Sequence, residues 1–259
     1  MYDSEERPPI AQSPLSILLP TFNDEASVVE VVRGWSNYLA GLQRDHEVIV
    51  IDDGSTDQTV TLVEAAAGPQ LRLLRHAEHQ GLGAALRTGI AAARHSLLLY
   101  TDCDSLYEPS DLKALLDVID PIDIAAGFRV RAATKSRRGW GRWFYDRMVR
   151  FIFGVRLRDV DCMFKLFRRS VFARIPIQSK GGFVHAEILA KANFLGCLMT
   201  EVALPERTRT RPAPQLEAFE LKERLRAANF VFHHPDFGPA VLPSESVAVV
   251  PPSDRPVPA

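Results

Sequence analysis

EVIVIDDGS, residues 47–55, is a short apolar run that ends on two carboxylates and a glycine. Uninterrupted Val and Ile over residues 48–51 predict a strand that is buried on both faces. The Asp-Gly pair that follows is typical of a turn, and the next residues carry a helical pattern to about residue 67. A buried strand, a polar turn and a helix in this order form the repeating unit of parallel sheets. We therefore predict that this segment is one strand of a parallel sheet.

The same unit recurs on both sides of this segment. Other apolar runs predict further strands, at residues 15–19, 71–74, 96–100 and 122–127. Amphipathic stretches predict further helices, at residues 25–39, 81–94 and 109–118. Repeated strand–helix units indicate an α/β fold with a mostly parallel sheet and helices on both faces. Because ligands bind beyond the carboxyl ends of such strands, the polar residues after each strand are the first candidates for chemistry.

Composition and charge exclude several classes of protein. With 46% hydrophobic residues in 259, the chain can build the core of one α/β domain with appendages. A formal net charge of −1 gives no bulk attraction to nucleic acid, and we expect no nucleic-acid partner. Three scattered cysteines indicate neither a disulfide framework nor a zinc site, and they fit a reducing cytosol. No apolar run approaches the roughly 18 residues that span a bilayer, so we expect a soluble chain or one on a membrane surface.

Two carboxylates one residue apart follow the predicted strand at residues 96–100. They belong to Asp102 and Asp104, which flank Cys103. If the chain turns there, both can face one ligand, and their hard oxygens suit Mg²⁺ or Mn²⁺, which in turn neutralises a diphosphate. The alternative is a turn in which an aspartate side chain caps the backbone. We predict a divalent-metal site at Asp102 and Asp104.

The end of the strand at residues 47–51 carries groups suited to a nucleotide. Asp52 or Asp53 can accept hydrogen bonds from a base or from a ribose hydroxyl. Ser55 or Thr56 is then left to cap the following helix, and capping alone is the alternative explanation of this motif. We expect both roles, with the carboxylates on the nucleotide and the hydroxyls on the helix.

Two further strand ends carry candidate ligand contacts. After the first strand, Phe22 can lie against a base or ribose and Asp24 can bond to it; the alternative is a simple helix start. After the third strand, the segment His79-Gln80-Gly81-Leu82-Gly83 precedes a helix. Small residues there let backbone N–H groups approach an anion.

Taken in order, the strand-end motifs resemble family 2 glycosyltransferases of the GT-A fold. Gly127-Phe128-Arg129 and DVDCMFKLFRR at residues 159–169 look like the branch that includes dolichyl-phosphate mannose synthase and bacterial polyprenyl-phosphate glycosyltransferases. DCDSLYEPSDL at 102–112 is similar to the acidic region of that branch, and residues 196–209 to its closing strand and basic residue. The resemblance covers about residues 14–210. It implies a GT-A fold and a hexosyltransferase that uses a nucleotide-sugar.

The resemblance also implies roles for individual residues. Asp102 and Asp104 hold the metal and the diphosphate, Arg129 faces an acceptor phosphate, Asp159 fills a conserved acidic position, and Arg209 neutralises the departing diphosphate. With Asp53 added from its place after a strand, the residues near the nucleotide are Pro20, Phe22, Asp24, Asp52, Asp53, His79 and Asp102. Leu106 departs from the branch, which often has a polar residue there. This departure keeps open a non-catalytic nucleotide-sugar-binding protein as an alternative.

Residues 129–158 form a basic and aromatic segment. Its ten basic residues face a single acidic one, Asp146, which gives a formal charge of +9, and Trp, Phe and Tyr are interleaved. This composition suits an interfacial helix on an anionic membrane; the alternative is a packed helix with a solvated cationic face. We expect three regions: a disordered segment at 1–13, a GT-A domain at 14–211 that contains this segment, and a helix with a disordered tail at 212–259.

We predict an inverting transfer of a sugar from a nucleotide-sugar to a polyprenyl phosphate. The chain would act in the cytoplasm, peripheral to the inner face of the membrane. A phosphate acceptor is already a nucleophile and needs a cationic cradle, formed by Arg129 with Arg131 or Arg142. The alternative is a soluble enzyme with a hydroxyl acceptor, which needs a carboxylate base. The candidate bases are Asp159, Asp161 and Glu187.

Overall fold

A computed structural model describes most of the chain around one central sheet. It covers residues 9–66, 68–103, 107–130, 140–205, 207, 218–236 and 248–249, with the backbone alone at 129–130, 140–146, 218–221 and 248–249. The sheet has eight strands. They are β1 (Leu15–Thr21), β2 (His46–Asp52), β3 (Leu71–Arg75), β4 (Leu97–Tyr100), β5 (Ile124–Val130), β6 (Lys165–Arg168), β7 (Met199–Pro205) and β8 (Ala248–Val249).

Parallel pairing dominates this sheet. Its strand order is β7-β5-β6-β4-β1-β2-β3-β8. β1 pairs in parallel with β2 and β4, β2 with β3, and β5 with β7. β6 is antiparallel to β4 and β5, and β8 is antiparallel to β3. The predicted α/β class with a mostly parallel sheet is therefore confirmed, although the antiparallel β6 was not predicted.

Helices pack on both faces of the sheet. In the described ranges they are α1 (Val28–Gly41), α2 (Thr59–Ala65), α3 (Leu82–Ala92), α4 (Leu112–Leu116), α5 (Trp140–Phe153), α6 (Val184–Phe194) and α7 (Ala218–His233). Buried apolar side chains form one cluster on each side. In one, Trp35 stacks on Phe164 with ring centroids 6.3 Å apart; in the other, Tyr100 stacks on Phe167 at 5.3 Å. None of these helices is long and apolar enough to cross a membrane.

The register of the parallel strands decides which residues share an edge of the sheet. Thr21 lies beside Asp52, and Leu18 of the same strand lies beside Tyr100. β2 and β4 therefore end at the same edge, which we call the carboxyl edge. Because Asp52 ends β2 and Asp102 follows β4 by two residues, both acidic motifs start from this edge. The geometric condition for a shared site is thus met for Asp52 and Asp102.

Element boundaries differ from the prediction around the first turn. β1 continues through Pro20, which lies beside Ile51, and ends at Thr21. α1 begins at Val28 and not near residue 25. The carbonyl of Asp24 accepts the N–H groups of Ser27 and Val28 at 3.0 and 2.9 Å, so residues 24–27 form a turn before the helix.

Both ends of the chain hold ordered contacts where disorder was expected. The N–H groups of Ile10 and Ala11 donate to Oδ1 of Asp120, each at 2.7 Å. Near the other end, Ala248–Val249 pairs with β3. These contacts involve four residues, and the extent of the disordered regions stays a prediction. β8 covers the edge of β3, whose backbone groups would otherwise be open.

The start of α3 packs closely against the loop that precedes α6. The N–H of Gly83 donates to the carbonyl of Lys180 at 2.6 Å. A Cβ at Gly83 would lie 2.0 Å from the carbonyl oxygen of Ser179, and one at Gly81 would lie 2.6 Å from that of Lys180. Real Cβ atoms do not approach backbone this closely, so both positions require glycine for the two segments to touch.

Gly83→Ala is expected to destabilise the fold by about 1–3 kcal/mol, because the added methyl overlaps a backbone carbonyl. The matched control is Gly41→Ala at the end of α1, where a Cβ meets nothing within 4 Å. Alanine there is expected to be neutral or slightly stabilising, since it is the better helix former. Urea unfolding of both variants measures the difference, and equal changes in stability would contradict the described packing.

Candidate functional site

Asp53, directly after β2, binds the loop that connects β3 to α3. Its Oδ1 lies 2.7 Å from Nδ1 of His76 and accepts the N–H of Gln80 at 3.0 Å. Its Oδ2 accepts the N–H of Gly81 at 2.7 Å and lies 2.9 Å from Nδ1 of His79. The carboxylate is buried, and each oxygen has two partners. Asp53 therefore positions His79 at the carboxyl edge, and its direct contact with a nucleotide stays a prediction.

Phe22 and His79 form an aromatic pair on the rim of this edge. Their ring centroids lie 4.1 Å apart with the planes tilted by 34°. Phe22 is 41% exposed, and the side chain of His79 is 55% exposed. The N–H of Phe22 donates to Oδ2 of Asp24 at 3.1 Å. An exposed aromatic pair of this kind offers a surface on which a planar base can stack.

Asp52 is fully buried and supports the turn that follows β2. Both of its carboxylate oxygens accept the N–H of Ser55 at 3.3 Å. Nε of Arg75, at the end of β3, lies 3.6 Å from Oδ2. Arg75 is half exposed and adds a cation to the carboxyl edge that the sequence analysis did not single out. Pro20 is buried within β1, so its part in binding a nucleotide also stays a prediction.

The hydroxyls of Ser55 and Thr56, predicted to cap α2, bond elsewhere. Oγ of Ser55 accepts the N–H of Asn23 at 2.9 Å, and Oγ1 of Thr56 donates to Oδ1 of Asn23 at 3.4 Å. The N–H of Thr59, which begins α2, donates to Oδ1 of Asp57 at 2.9 Å. The capping prediction for Ser55 and Thr56 is therefore wrong, because both hydroxyls join the turns after β1 and β2.

The N–H groups of the glycine turn before α3 are used inside the protein. Gly81 donates to Asp53 at 2.7 Å and Gly83 to the carbonyl of Lys180 at 2.6 Å. The prediction that they bind an anion is wrong for these two residues. Gly54 explains how the turn comes so close to β2. It has φ 79°, and a Cβ there would lie 2.5 Å from the carbonyl carbon of Glu78.

Asp102 is the one member of the predicted metal-binding pair that the structure describes. It is partly buried just beyond β4, while the next side chain, Cys103, is buried in the apolar cluster. Asp104 and Leu106 lie outside the described residues, so the predicted pair of carboxylates stays a prediction. Across the described ranges, no group of three or more His, Cys, Asp or Glu could hold a metal ion. Mg²⁺ is usually bound by one or two carboxylates plus substrate phosphates, and an aspartate at this edge suits that arrangement.

Glu187, a candidate base for a hydroxyl acceptor, is buried and fully engaged. Its Oε1 accepts the N–H of Gln178 at 2.7 Å, and Oε2 accepts that of Ser179 at 2.8 Å. Nζ of Lys191, one turn later on α6, lies 2.8 Å from Oε1. A carboxylate with these partners and no exposed surface cannot reach a substrate proton. The assignment of Glu187 as a base is therefore wrong, and its role is to hold the loop before α6.

The other two candidate bases lie in the loop before β6. Oδ2 of Asp161 lies 2.8 Å from a guanidinium nitrogen of Arg224 in α7, so Asp161 is a salt-bridge partner of the last helix. Asp159 is 8% exposed, and its backbone carbonyl accepts the N–H of Cys162 at 3.3 Å. Its place in the reaction stays a prediction.

The buried Lys165 stabilises the loop before β6. Nζ of Lys165 donates to the carbonyl of Val160 at 3.0 Å and to that of Cys162. The same Nζ lies 5.7 Å from the ring centroid of Tyr100. Burial raises the pKa of Tyr100 well above its ordinary value, so its hydroxyl stays neutral beside His185, 3.1 Å away. These groups support the loop and do not face a substrate.

The structure does not describe the side chains of the arginines that were predicted to bind the acceptor and the leaving group. Only the backbone is described for Arg129 in β5 and Arg142 in α5, and Arg131 and Arg209 lie outside the described residues. Their roles stay predictions.

Arg207 is the basic residue beyond β7 that the structure does describe. Its guanidinium hydrogen-bonds both carboxylate oxygens of Asp111 and lies 3.0 Å from Oε1 of Glu108. Hydrogen bonds to Asp111, with the nearby negative charges, raise the pKa of Arg207. Arg207 is thus committed to an ion pair that ties the end of β7 to the turn before α4.

Lys180 is a cation near the site that the sequence analysis missed. It is exposed, and its carbonyl binds Gly83 beside the turn that Asp53 holds. A Lys-Gly-Gly run before a helix was the available signal, but sequence spacing does not place it next to α3.

Comparison with known proteins places the chain among sugar transferases. Residues 16–175 match the family model described as Glycosyl transferase family 2. A dodecaprenyl-phosphate galacturonate synthase from Rhizobium johnstonii is 29% identical over 178 residues, which cover 66% of this chain and 53% of that protein. A dolichyl-phosphate beta-glucosyltransferase from Mus musculus is 30% identical over 195 residues, which cover 66% and 60%. The chain spans about half the length of the first of these relatives.

Solved structures share the fold. One is glucosyl-3-phosphoglycerate synthase from Mycobacterium tuberculosis in complex with Mn²⁺, UDP and phosphoglyceric acid. It has a TM-score of 0.70 and 21% identity, and the alignment covers 97% of this chain and 94% of that protein. A complex of that enzyme with Mn²⁺, UDP-glucose and phosphoglyceric acid has a TM-score of 0.69 and 22% identity, with 91% and 85% covered. The GT-A fold expected from the resemblance is confirmed.

The resemblance to family 2 and to its polyprenyl-phosphate branch is confirmed as well. The matched residues exceed half of the chain and contain the ends of β1 to β4, where the candidate nucleotide and metal contacts lie. This chain therefore belongs to glycosyl transferase family 2.

Proposed function

We propose that the chain is an inverting glycosyltransferase that moves a sugar from a nucleotide-sugar to a polyprenyl phosphate. The observation that carries the proposal is the carboxyl edge, where the exposed Phe22–His79 pair lies on a loop held by Asp53, on the same edge as Asp102. Family membership and the names of the relatives support the reaction class and the acceptor.

The donor is proposed to bind along the ends of β1 to β4. A base stacks against Phe22 and His79, while Asp24 and Asp52 lie within the turns on which that pair rests. Pro20 and Asp53 shape the same turns from β1 and β2. The diphosphate is proposed to extend toward Asp102, which follows β4.

Asp102, with Asp104, would hold Mg²⁺ or Mn²⁺. Such an ion neutralises negative charge on a diphosphate and so stabilises it as a leaving group. The relevant solved structures contain Mn²⁺ with UDP, which supports the choice of ion.

The reaction is a direct displacement at the anomeric carbon of the sugar. An acceptor phosphate oxygen forms the new bond while the bond to the diphosphate oxygen breaks, and the nucleoside diphosphate leaves with its electron pair. Because the acceptor is already an anion, it needs cations and not a base, and Arg129, Arg131 and Arg142 are proposed to supply them. Arg209 is proposed to neutralise the leaving diphosphate, and Asp159 to position the acceptor side.

The acceptor's lipid tail suggests a position at the inner face of the membrane. The described end of α5 supports a surface contact, because Phe151 is 89% exposed and Ile152 is 42% exposed beside the exposed Arg147. Exposed aromatic and basic residues on one helix suit an anionic lipid surface, and each basic residue near it contributes about 1 kcal/mol.

Asp102→Asn is expected to lower sugar transfer about 100-fold or more, since even indirect supports of metal ligands cost 10–100-fold when changed. The measurement is transfer from a panel of nucleotide-sugars to undecaprenyl phosphate with Mn²⁺ or Mg²⁺. Asp117→Asn, at an exposed ion pair with Lys113, is the control and should retain activity. Unchanged turnover in Asp102→Asn would remove the metal assignment. Transfer that occurs only to hydroxyl acceptors, and that Asp159→Asn abolishes, would favour the soluble alternative.

Phe22→Ala is expected to weaken binding of nucleoside diphosphates by about 5- to 100-fold, because stacking on an aromatic side chain is worth about 1–3 kcal/mol per base. Isothermal titration measures the dissociation constant. Phe22→Tyr keeps the ring and should bind nearly as well as the wild type. If Phe22→Ala binds with unchanged affinity, the base does not lie on this pair.

Phe151→Ser is expected to reduce binding to anionic liposomes about fivefold, because burial of a phenylalanine side chain contributes about 1.5–3 kcal/mol when complete. Co-sedimentation at low and high salt measures the bound fraction, which should fall as salt screens the basic residues. Leu198→Ser is the control, at a 40% exposed apolar residue that lies outside α5 and precedes β7. Wild-type protein that stays in the supernatant with anionic liposomes would contradict the proposed membrane contact.

A further inference from the structure

The four residues Ser179-Lys180-Gly181-Gly182, which we call the SKGG loop, lie against the turn that Asp53 holds. The carbonyl of Lys180 accepts the N–H of Gly83 at 2.6 Å, and a Cβ at Gly81 would lie 2.6 Å from that same oxygen. The N–H of Gly81 in turn binds Asp53. Lys180 is therefore one contact away from the turn that positions His79, at the carboxyl edge.

A buried carboxylate and a partly buried guanidinium, on two helices, fix the backbone of the SKGG loop. From α6, the carboxylate of Glu187 accepts the N–H of Ser179 at 2.8 Å. From α3, Arg87 donates to the carbonyl of Ser179 at 2.9 Å and to that of Ile177 at 3.1 Å. With the bond from Gly83, the main chain around Lys180 is anchored on both sides. Binding groups that are held in advance lose little freedom when a ligand arrives.

Two polar side chains of this loop, those of Lys180 and Ser179, are available to bind a ligand. Lys180 is exposed, and none of the described residues forms an ion pair with it. The hydroxyl of Ser179 is buried, and it has no hydrogen-bond partner within the described ranges. A buried hydroxyl without a partner costs about 1–3 kcal/mol, which a ligand that bonds to it would recover. The loop thus combines an anchored backbone with an exposed cation and a buried hydroxyl, neither of which has a side-chain partner among the described residues.

We propose that Lys180 binds a phosphate group of one of the two substrates, the sugar donor or the lipid acceptor. An ammonium on a flexible stem acts on phosphate as a point charge, and its exposed position beside the nucleotide edge suits that use. The proposal rests on the function proposed above, in which two phosphate sources meet at this edge. These are the diphosphate of the donor and the phosphate of the lipid acceptor.

Inorganic pyrophosphate with Mg²⁺ tests the site without a sugar or a lipid. Isothermal titration is expected to give about 5- to 10-fold weaker binding for Lys180→Ala than for the wild type. This loss lies between that of an exposed, screened ion pair and that of a well-formed hydrogen bond to a charged group. Lys180→Arg should retain most of the affinity. Lys113→Ala, at the exposed pair with Asp117, is the matched control and should bind as the wild type does. Equal affinity in Lys180→Ala and the wild type, or no pyrophosphate binding at all, would overturn the proposal.

Two further titrations identify the source of the phosphate. A loss of affinity for UDP or GDP in Lys180→Ala, with the KM for undecaprenyl phosphate unchanged, places the donor diphosphate at Lys180. A raised KM for undecaprenyl phosphate, with nucleotide affinity unchanged, places the acceptor phosphate there. If pyrophosphate binding depends on Lys180 but no sugar is transferred to any acceptor, the phosphate site stands and the proposed function fails. If sugar is transferred but Lys180→Ala binds and reacts as the wild type does, the proposed function stands and the phosphate site at Lys180 fails.

Discussion

The buried carboxylate of Asp53 is the constraint on which the arrangement of turns after β2 and β3 depends. Removing a charge from water is costly unless hydrogen bonds replace the lost hydration. Here two imidazoles and two backbone N–H groups do so, all from residues 76–81. The end of β2 is thereby joined to the loop after β3, and the ring of His79 is held against Phe22. The exposed Phe22–His79 pair therefore results from the hydrogen bonds that the buried carboxylate of Asp53 requires.

The two sides of the carboxyl edge are built by different means. At the ends of β1 and β2 a network of hydrogen bonds joins the turns, and Asn23 connects the end of β1 to the turn after β2. The other side is joined by charges from distant parts of the chain. Arg224 of α7 binds Asp161, and Arg207 beyond β7 binds Asp111. Ion pairs of this kind connect elements that are far apart in sequence, so this side of the edge depends on the later half of the chain.

The sequence predicted what local pattern controls and missed what long-range contact controls. Continuous Val and Ile runs and strand–turn–helix order were enough to place Asp52 and Asp102 at one edge. The partners of Asp53 were not predictable, because they come from a loop that only the β2–β3 register brings close. Glu187 was one of three candidate bases for a hydroxyl acceptor, chosen from its charge. Lys191 four residues later was a signal for an internal ion pair, but α6 is buried on nearly all sides, so its sequence shows no polar face. The short β6 has a pattern that does not reveal its antiparallel direction.

Cys103 couples the interior of the protein to its reactive rim. Its side chain is 2% exposed and packs in the same apolar cluster as Trp35, while its neighbour Asp102 stands at the edge where a metal would bind. If Asp102 binds a metal as proposed, two adjacent residues serve chemistry and packing. A bulkier residue in place of the thiol would push on the peptide that carries Asp102, so a mutation inside the apolar cluster would shift the proposed metal ligand.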